Sequence, residues 1–148
     1  MKSFHFRLGQ ALRWRNTQLE VEKAKVSAAA RQVRELRGEI ERRQAELLDG
    51  AASLPQTGVT GSTLALWGAF TENSRRRIHS LETSVGKAEQ VLRAQMELLT
   101  EANRRVRLLE NLRDGDLARW KADLDRELEN FAGESSLVRL QLRRRAGA

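Results

Sequence analysis

The chain has 148 residues, with 27 Lys and Arg against 20 Asp and Glu, 32% charged side chains, 5% aromatics and one proline. Its apolar residues are mostly Leu, Val and Ala spread thinly through Arg- and Glu-rich stretches, which is the composition of extended helices and coiled coils rather than of a compact globule. The absence of cysteine excludes disulfide frameworks, thiolate metal sites and cysteine nucleophiles, and no uncharged apolar run approaches the ~20 residues that span a bilayer.

In chain order, the N-terminus MKSFHFRLGQALRWR comes first. Arg7 and Arg13 fall inside its apolar part, which argues against a secretory signal and for a soluble, cytoplasmic protein. The net charge of +7 is concentrated at the two ends. Residues 16–133 hold 19 basic and 19 acidic side chains, whereas Lys2, Arg7, Arg13 and Arg15 stand unopposed at the start. Arg139, Arg143, Arg144 and Arg145 face only Glu134 at the finish. If the ends come together they make one electropositive tip, a feature that bears on partners and association rate.

The first predicted helix spans about residues 5–49. Leu12, Leu19, Val26, Val33, Ile40 and Leu47 recur every seven residues, with Arg15, Glu22, Ala29, Leu36 and Arg43 at the companion position. A heptad sustained this long lays one narrow stripe along a partner helix, and the half-polar companion position weakens the seam. A loop is predicted over about 50–61, where the sole proline and several glycines cluster with few charges.

The second predicted helix spans about residues 62–145. Leu64, Ile78, Val85, Leu92, Leu99 and Val106 share one register, with Trp67, Leu81, Ala88, Ala102 and Leu109 beside them and polar Thr71 and Ser74 interrupting. The stripe then steps eleven residues to Leu117 and continues through Leu124, Phe131 and Val138. Such a stutter locally unwinds a left-handed supercoil. Gly115 and Gly133 each cost a helix about 1 kcal/mol against alanine and are the expected bends.

The fold class expected is therefore all-α: one coiled-coil domain over 1–148, a long antiparallel two-helix hairpin with an extended C-terminal helix. Folding about Pro55 sets Leu12 beside Leu99 and Leu47 beside Leu64. Residues beyond about 106 are then without an intramolecular partner over about 55 Å. Their stripe of Leu117, Trp120, Leu124, Leu128 and Phe131 reads as a surface that another molecule covers, with fold-back at Gly133 or self-association as the alternative.

Catalytic chemistry has little to hold on to. His5 and His79 lie far apart, and neither has metal-ligand spacing to another donor. Asp114, Asp116, Asp123 and Asp125 lack the calcium-loop pattern and alternate with arginines and a lysine, so helical ion pairing accounts for them. There is no phosphate-binding glycine loop and no Ser-His-Asp arrangement. Arg75, Arg76 and Arg77 read as a solvated face. The neutral middle argues against nucleic-acid binding, and the tail SSLVRLQLRRRAGA is only weakly of the membrane-surface kind. The chain is expected to be a non-enzymatic interaction protein with no cofactor and no metal.

FHFRLGQALRWR resembles the opening signature of the FliJ family of flagellar export proteins, an aromatic-x-Phe-Arg-Leu followed by Leu and Arg. LLTEANRRVRLLENLR is similar to a later family segment through Leu99, Glu101, Ala102, Leu109, Glu110 and Leu112. ARWKADLDRELENFAGE resembles the stretch after it through Trp120, Glu127 and Glu134. Gly115 and Gly133 depart from the family's more helix-favouring residues. The stalk proteins of type III secretion and the gamma subunit of rotary ATP synthases have a similar shape.

The resemblance implies a stalk that lodges the end carrying both termini in the pore of a hexameric export ATPase. It also implies contact with the membrane export gate, passage of substrate chaperones, and a cytoplasmic location peripheral to the inner membrane at the base of the flagellum. On that reading Phe4, Phe6, Arg7, Leu8, Arg13, Trp120, Arg143, Arg144 and Arg145 belong to the ATPase end. Leu54, Leu64, Leu66, Trp67 and Phe70 belong to the gate end, or else close the hairpin as a hydrophobic plug. A generic coiled-coil tether or oligomer and a virulence-type secretion stalk remain the other readings.

Overall fold

The computed structural model describes residues 3–147; Lys2, counted above in the basic N-terminus, lies outside them. They form an all-α, antiparallel hairpin of two helices, α1 (Gly9–Ser53, 45 residues) and α2 (Gly61–Ala146, 86 residues), with no strand among the described residues.

Local chemistry accounts for the helix ends. Residues 3–6 lie outside any helix or strand and Arg7–Leu8 form a turn, with the Gly9 N–H donating to the Phe6 carbonyl at 3.0 Å. Phe4, Phe6 and Leu8 are half-buried while Ser3, His5 and Arg7 are exposed. That is a period of two, the rhythm of extended chain, so α1 starts at Gly9 and not near residue 5. At its other end α1 continues four residues beyond the expected 49, carried by Ala51 and Ala52, and stops just before Leu54-Pro55. A residue preceding proline is pushed out of the helical region. The connection turns at Gly58, whose φ of 78° is the left-handed conformation that glycine adopts without steric penalty. Thr60 caps α2, accepting the Thr63 N–H on its Oγ1 at 3.3 Å.

The chain divides into two compact units, residues 18–102 and residues up to 17 together with those from 103 onward. Within the first, α1 and α2 run antiparallel. Arg77 reaches Glu39 at 3.4 Å, Arg37 pairs with Glu89, and Trp67 lies against Gly50 so closely that a Cβ at position 50 would overlap its ring. The first and last of these contacts centre the hairpin near residue 58, about three residues later than Pro55. The heptads can realign only in steps of seven, and the contacts select the next step. Leu19 comes level with Leu99, Val26 with Leu92, Val33 with Val85, Ile40 with Ile78 and Leu47 with Thr71. The pairings of Leu12 with Leu99 and of Leu47 with Leu64 are thus corrected by one heptad.

The same register matches the companion positions: Ala29 with Ala88, Leu36 with Leu81, Glu22 with Gln95, Arg43 with Ser74. The seam alternates apolar and polar layers. Leu19, Val33 and Leu81 are buried, and Ser74 is only 4% exposed. Glu22 Oε2, Arg43 Nε, Thr71 Oγ1 and Gln95 Oε1 are buried atoms without a hydrogen-bond partner. Such layers lower stability but penalise every other alignment, because a shifted register sets them against aliphatic side chains.

In the other unit, Leu12 and Val106 are both buried and level with each other. The stripe on α2 then runs through Leu109, Arg113, Leu117, Trp120 and Leu124, all partly buried, so the eleven-residue stutter is present in the packing. α2 is continuous through Gly115 and Gly133. Neither glycine ends the helix and no fold-back occurs at Gly133; flanking residues that favour helix absorb a cost of about 1 kcal/mol each.

Candidate interaction surfaces

Three surfaces carry the residues singled out from the sequence. The first is built by the extended N-terminal segment. Phe4 packs on Trp120 with ring centroids 6.0 Å apart and planes tilted by 55°, a favourable aromatic geometry. Extended chain advances about 3.3 Å per residue against 1.5 Å in a helix. Five residues therefore cover α2 as far as Trp120 and Leu124, where an N-terminus helical back to Phe4 would have ended near Asp114. The expectation that α2 is bare beyond about 106 is corrected accordingly, and the bare segment begins at Asp125. His5, Phe6, Arg7, Gly9, Gln10 and Arg13 line a small cleft beside this clasp, with Arg7 and Arg13 exposed.

The second surface is the end of α2. Every described residue from Asp125 to Gly147 is exposed except Ser135. Arg143, Arg144 and Arg145 occupy the last helical turn, where cations complement the helix dipole. They stand 23 or more helical residues beyond Trp120, about 35 Å along the axis. The structure brings Phe4, Phe6, Arg7, Leu8, Arg13 and Trp120 together but leaves the three tail arginines apart. The two basic clusters do not merge into one tip.

The third surface is the hairpin turn. Trp67 lies over Gly50 and stacks at 5.4 Å on Phe70, while Leu54 is half-buried. These close the turn as a plug would. Leu64, Leu66 and Phe70 stay exposed, and so does Leu48 at 73%, a residue that sequence reasoning passed over because it lies off the heptad.

The remaining charges behave as surface helical pairs. Arg113, Arg119 and Arg126 engage Asp114, Asp116 and Asp123 at 3.2, 3.8 and 3.4 Å. Arg76 pairs with Glu72 at 3.0 Å, and His79 lies 3.9 Å from Glu82. Arg77 departs from the solvated-face reading by bridging to α1. Among the described residues no cluster of three or more His, Asp or Glu could hold a metal ion. No helix there is long and apolar enough to cross a membrane.

An antiparallel hairpin with polar layers in its seam and exposed apolar patches at its turn and tail places the chain in the class of all-α helical-hairpin proteins. The family model of the flagellar FliJ protein matches residues 4–132 of this chain. The chain belongs to that family and is a flagellar export-related protein. No curated protein and no solved structure matches it. The matched span takes in the N-terminal clasp, the hairpin and the stripe as far as Phe131; residues 133–147 lie beyond it.

Proposed function

We propose that this protein is a non-enzymatic stalk of the flagellar type III export apparatus that inserts into the hexameric export ATPase and links it to the membrane export gate, escorting export chaperones. Family membership is the observation that carries the reading. The clasp of Phe4 on Trp120 supports it, because it fixes Arg7 and Arg13 on a rigid surface from which exposed cations can steer toward an acidic pore. Leu48, Leu64, Leu66 and Phe70 offer the apolar face for the gate protein. The site is peripheral to the inner membrane, on its cytoplasmic side.

The test is surface-immobilised binding to the purified cognate ATPase at two salt concentrations. Changing Arg7 and Arg13 to Gln slows association and flattens its salt dependence while dissociation changes little, since exposed charges are screened beyond roughly 8 Å at physiological ionic strength. Trp120→Ala acts on dissociation, by releasing the clasp. Wild-type kinetics for both variants would remove this end from the ATPase contact.

A further inference from the structure

The apolar stripe of α2 does not stop where its cover stops. Leu128, Phe131, Ser135, Val138 and Leu142 continue the three-four spacing, and the four apolar members are 46%, 70%, 54% and 61% exposed. The charges of this segment are divided into two blocks. Residues 123–134 carry Asp123, Asp125, Glu127, Glu129 and Glu134 with only Arg126 against them. Residues 135–147 carry Arg139, Arg143, Arg144 and Arg145 and no acid.

We infer that the tail of α2 is a self-pairing surface, on which a second copy of this chain docks antiparallel about a two-fold axis at Ser135. A two-fold there sets Leu128 against Leu142 and Phe131 against Val138 of the other copy, twice over, and Ser135 against itself. These are layers of like heptad positions, the arrangement the hairpin already uses in its own seam. The acidic block of each copy then lies along the basic block of the other, with Asp125 level with Arg145 and Glu127 level with Arg143. A parallel pair would stack four arginines on four arginines, which opposite-charge matching disfavours. The small residues Ala132, Gly133, Ser135 and Ser136 surround the axis, where two helices in contact approach most closely. That gives Gly133 a role that offsets its cost to the helix. More than half of the segment lies outside the family match, so the inference does not rest on the function proposed above. Its consequence is a tail whose apolar face and arginines are covered at high protein concentration and free at low concentration.

Sedimentation of the full chain across the micromolar range tests this. The mass rises with concentration from 16.8 kDa to twice that value. The double variant Leu128→Asp/Phe131→Asp remains at 16.8 kDa throughout, with an unchanged helical spectrum and melting curve in dilute solution. Reversing Arg143, Arg144 and Arg145 to Glu gives a monomer, and so does reversing Asp125, Glu127 and Glu129 to Lys. An equimolar mixture of the two reversed proteins dimerises. Orientation is read with single cysteines, since the chain has none of its own. Leu128→Cys cross-links to a Leu142→Cys copy and not to itself. A wild-type mass that stays at 16.8 kDa at all concentrations, association surviving the double variant, or Leu128→Cys linking to itself would each overturn the proposal.

Discussion

Residues 67–102 and residues 125–146 lie on one uninterrupted helix and carry apolar stripes of similar spacing, yet they differ in almost every physical respect. In the first stretch the stripe is covered by α1, and Leu81 is 3% exposed. In the second, Phe131 is 70% exposed. In the first, charges of both signs are interspersed along the helix, whereas in the second they are sorted into an acidic and a basic block. Periodicity sets which face of a helix is apolar. What covers that face depends on what else the chain, or another chain, brings to it.

The largest expected effect breaks the covered stretch. Val33→Asp places a carboxylate in a layer that is 5% exposed, opposite Val85, and lowers stability by about 3 kcal/mol or more in thermal unfolding followed by circular dichroism. Phe131→Asp on the bare stretch leaves the dilute melting curve where it was. If both substitutions melt alike, the contrast between covered and bare stripes fails.

Cross-linking sharpens the register. A Leu19→Cys/Leu99→Cys pair oxidises to an intramolecular disulfide in high yield, whereas Leu12→Cys/Leu99→Cys, offset by one heptad, does not. An intramolecular link from the offset pair would return the hairpin to the alignment about Pro55.

A smaller effect comes from the polar layers. Replacing Glu22 and Gln95 together by Leu stabilises the hairpin by about 1–2 kcal/mol, as buried polar groups without full partners are exchanged for packing. The same double variant loses its single register, read as appearance of the offset cross-link. Stabilisation with the register intact would assign specificity to Arg43 and Ser74 instead. The smallest effect is expected of Arg37→Ala, whose pairing with Glu89 is exposed to solvent on both sides and contributes under about 1 kcal/mol.

Much of the fold was legible from spacing. Six repeats from Leu12 to Leu47 dictate a long helix, the single proline dictates where the first helix stops, and the step from Val106 to Leu117 reappears in the packing. The candidate site was less legible. Phe4 and Phe6 were recognisable as an aromatic signature, but their period of two was overshadowed by the heptad that follows at Leu12. Leu48 escaped notice because off-heptad apolar residues are common on any helix surface. The placement of Arg143 to Arg145 depended on how far α1 and its leader reach along α2, which no local pattern reports.

The sequence by itself determined that this protein is two helices with one apolar face each, since heptad repetition, helix-favouring composition and the Pro55 stop are local properties. Only the tertiary structure decided the alignment. A heptad is identical to itself shifted by seven, so aliphatic layers tolerate either register. The choice falls to contacts between distant residues: Trp67 fitting over Gly50, Arg77 reaching Glu39, and polar Glu22 and Arg43 falling level with Gln95 and Ser74. The tertiary structure likewise decided where cover ends on α2, because an extended leader advances about twice as far per residue as a helix does, and that difference carries Phe4 to Trp120.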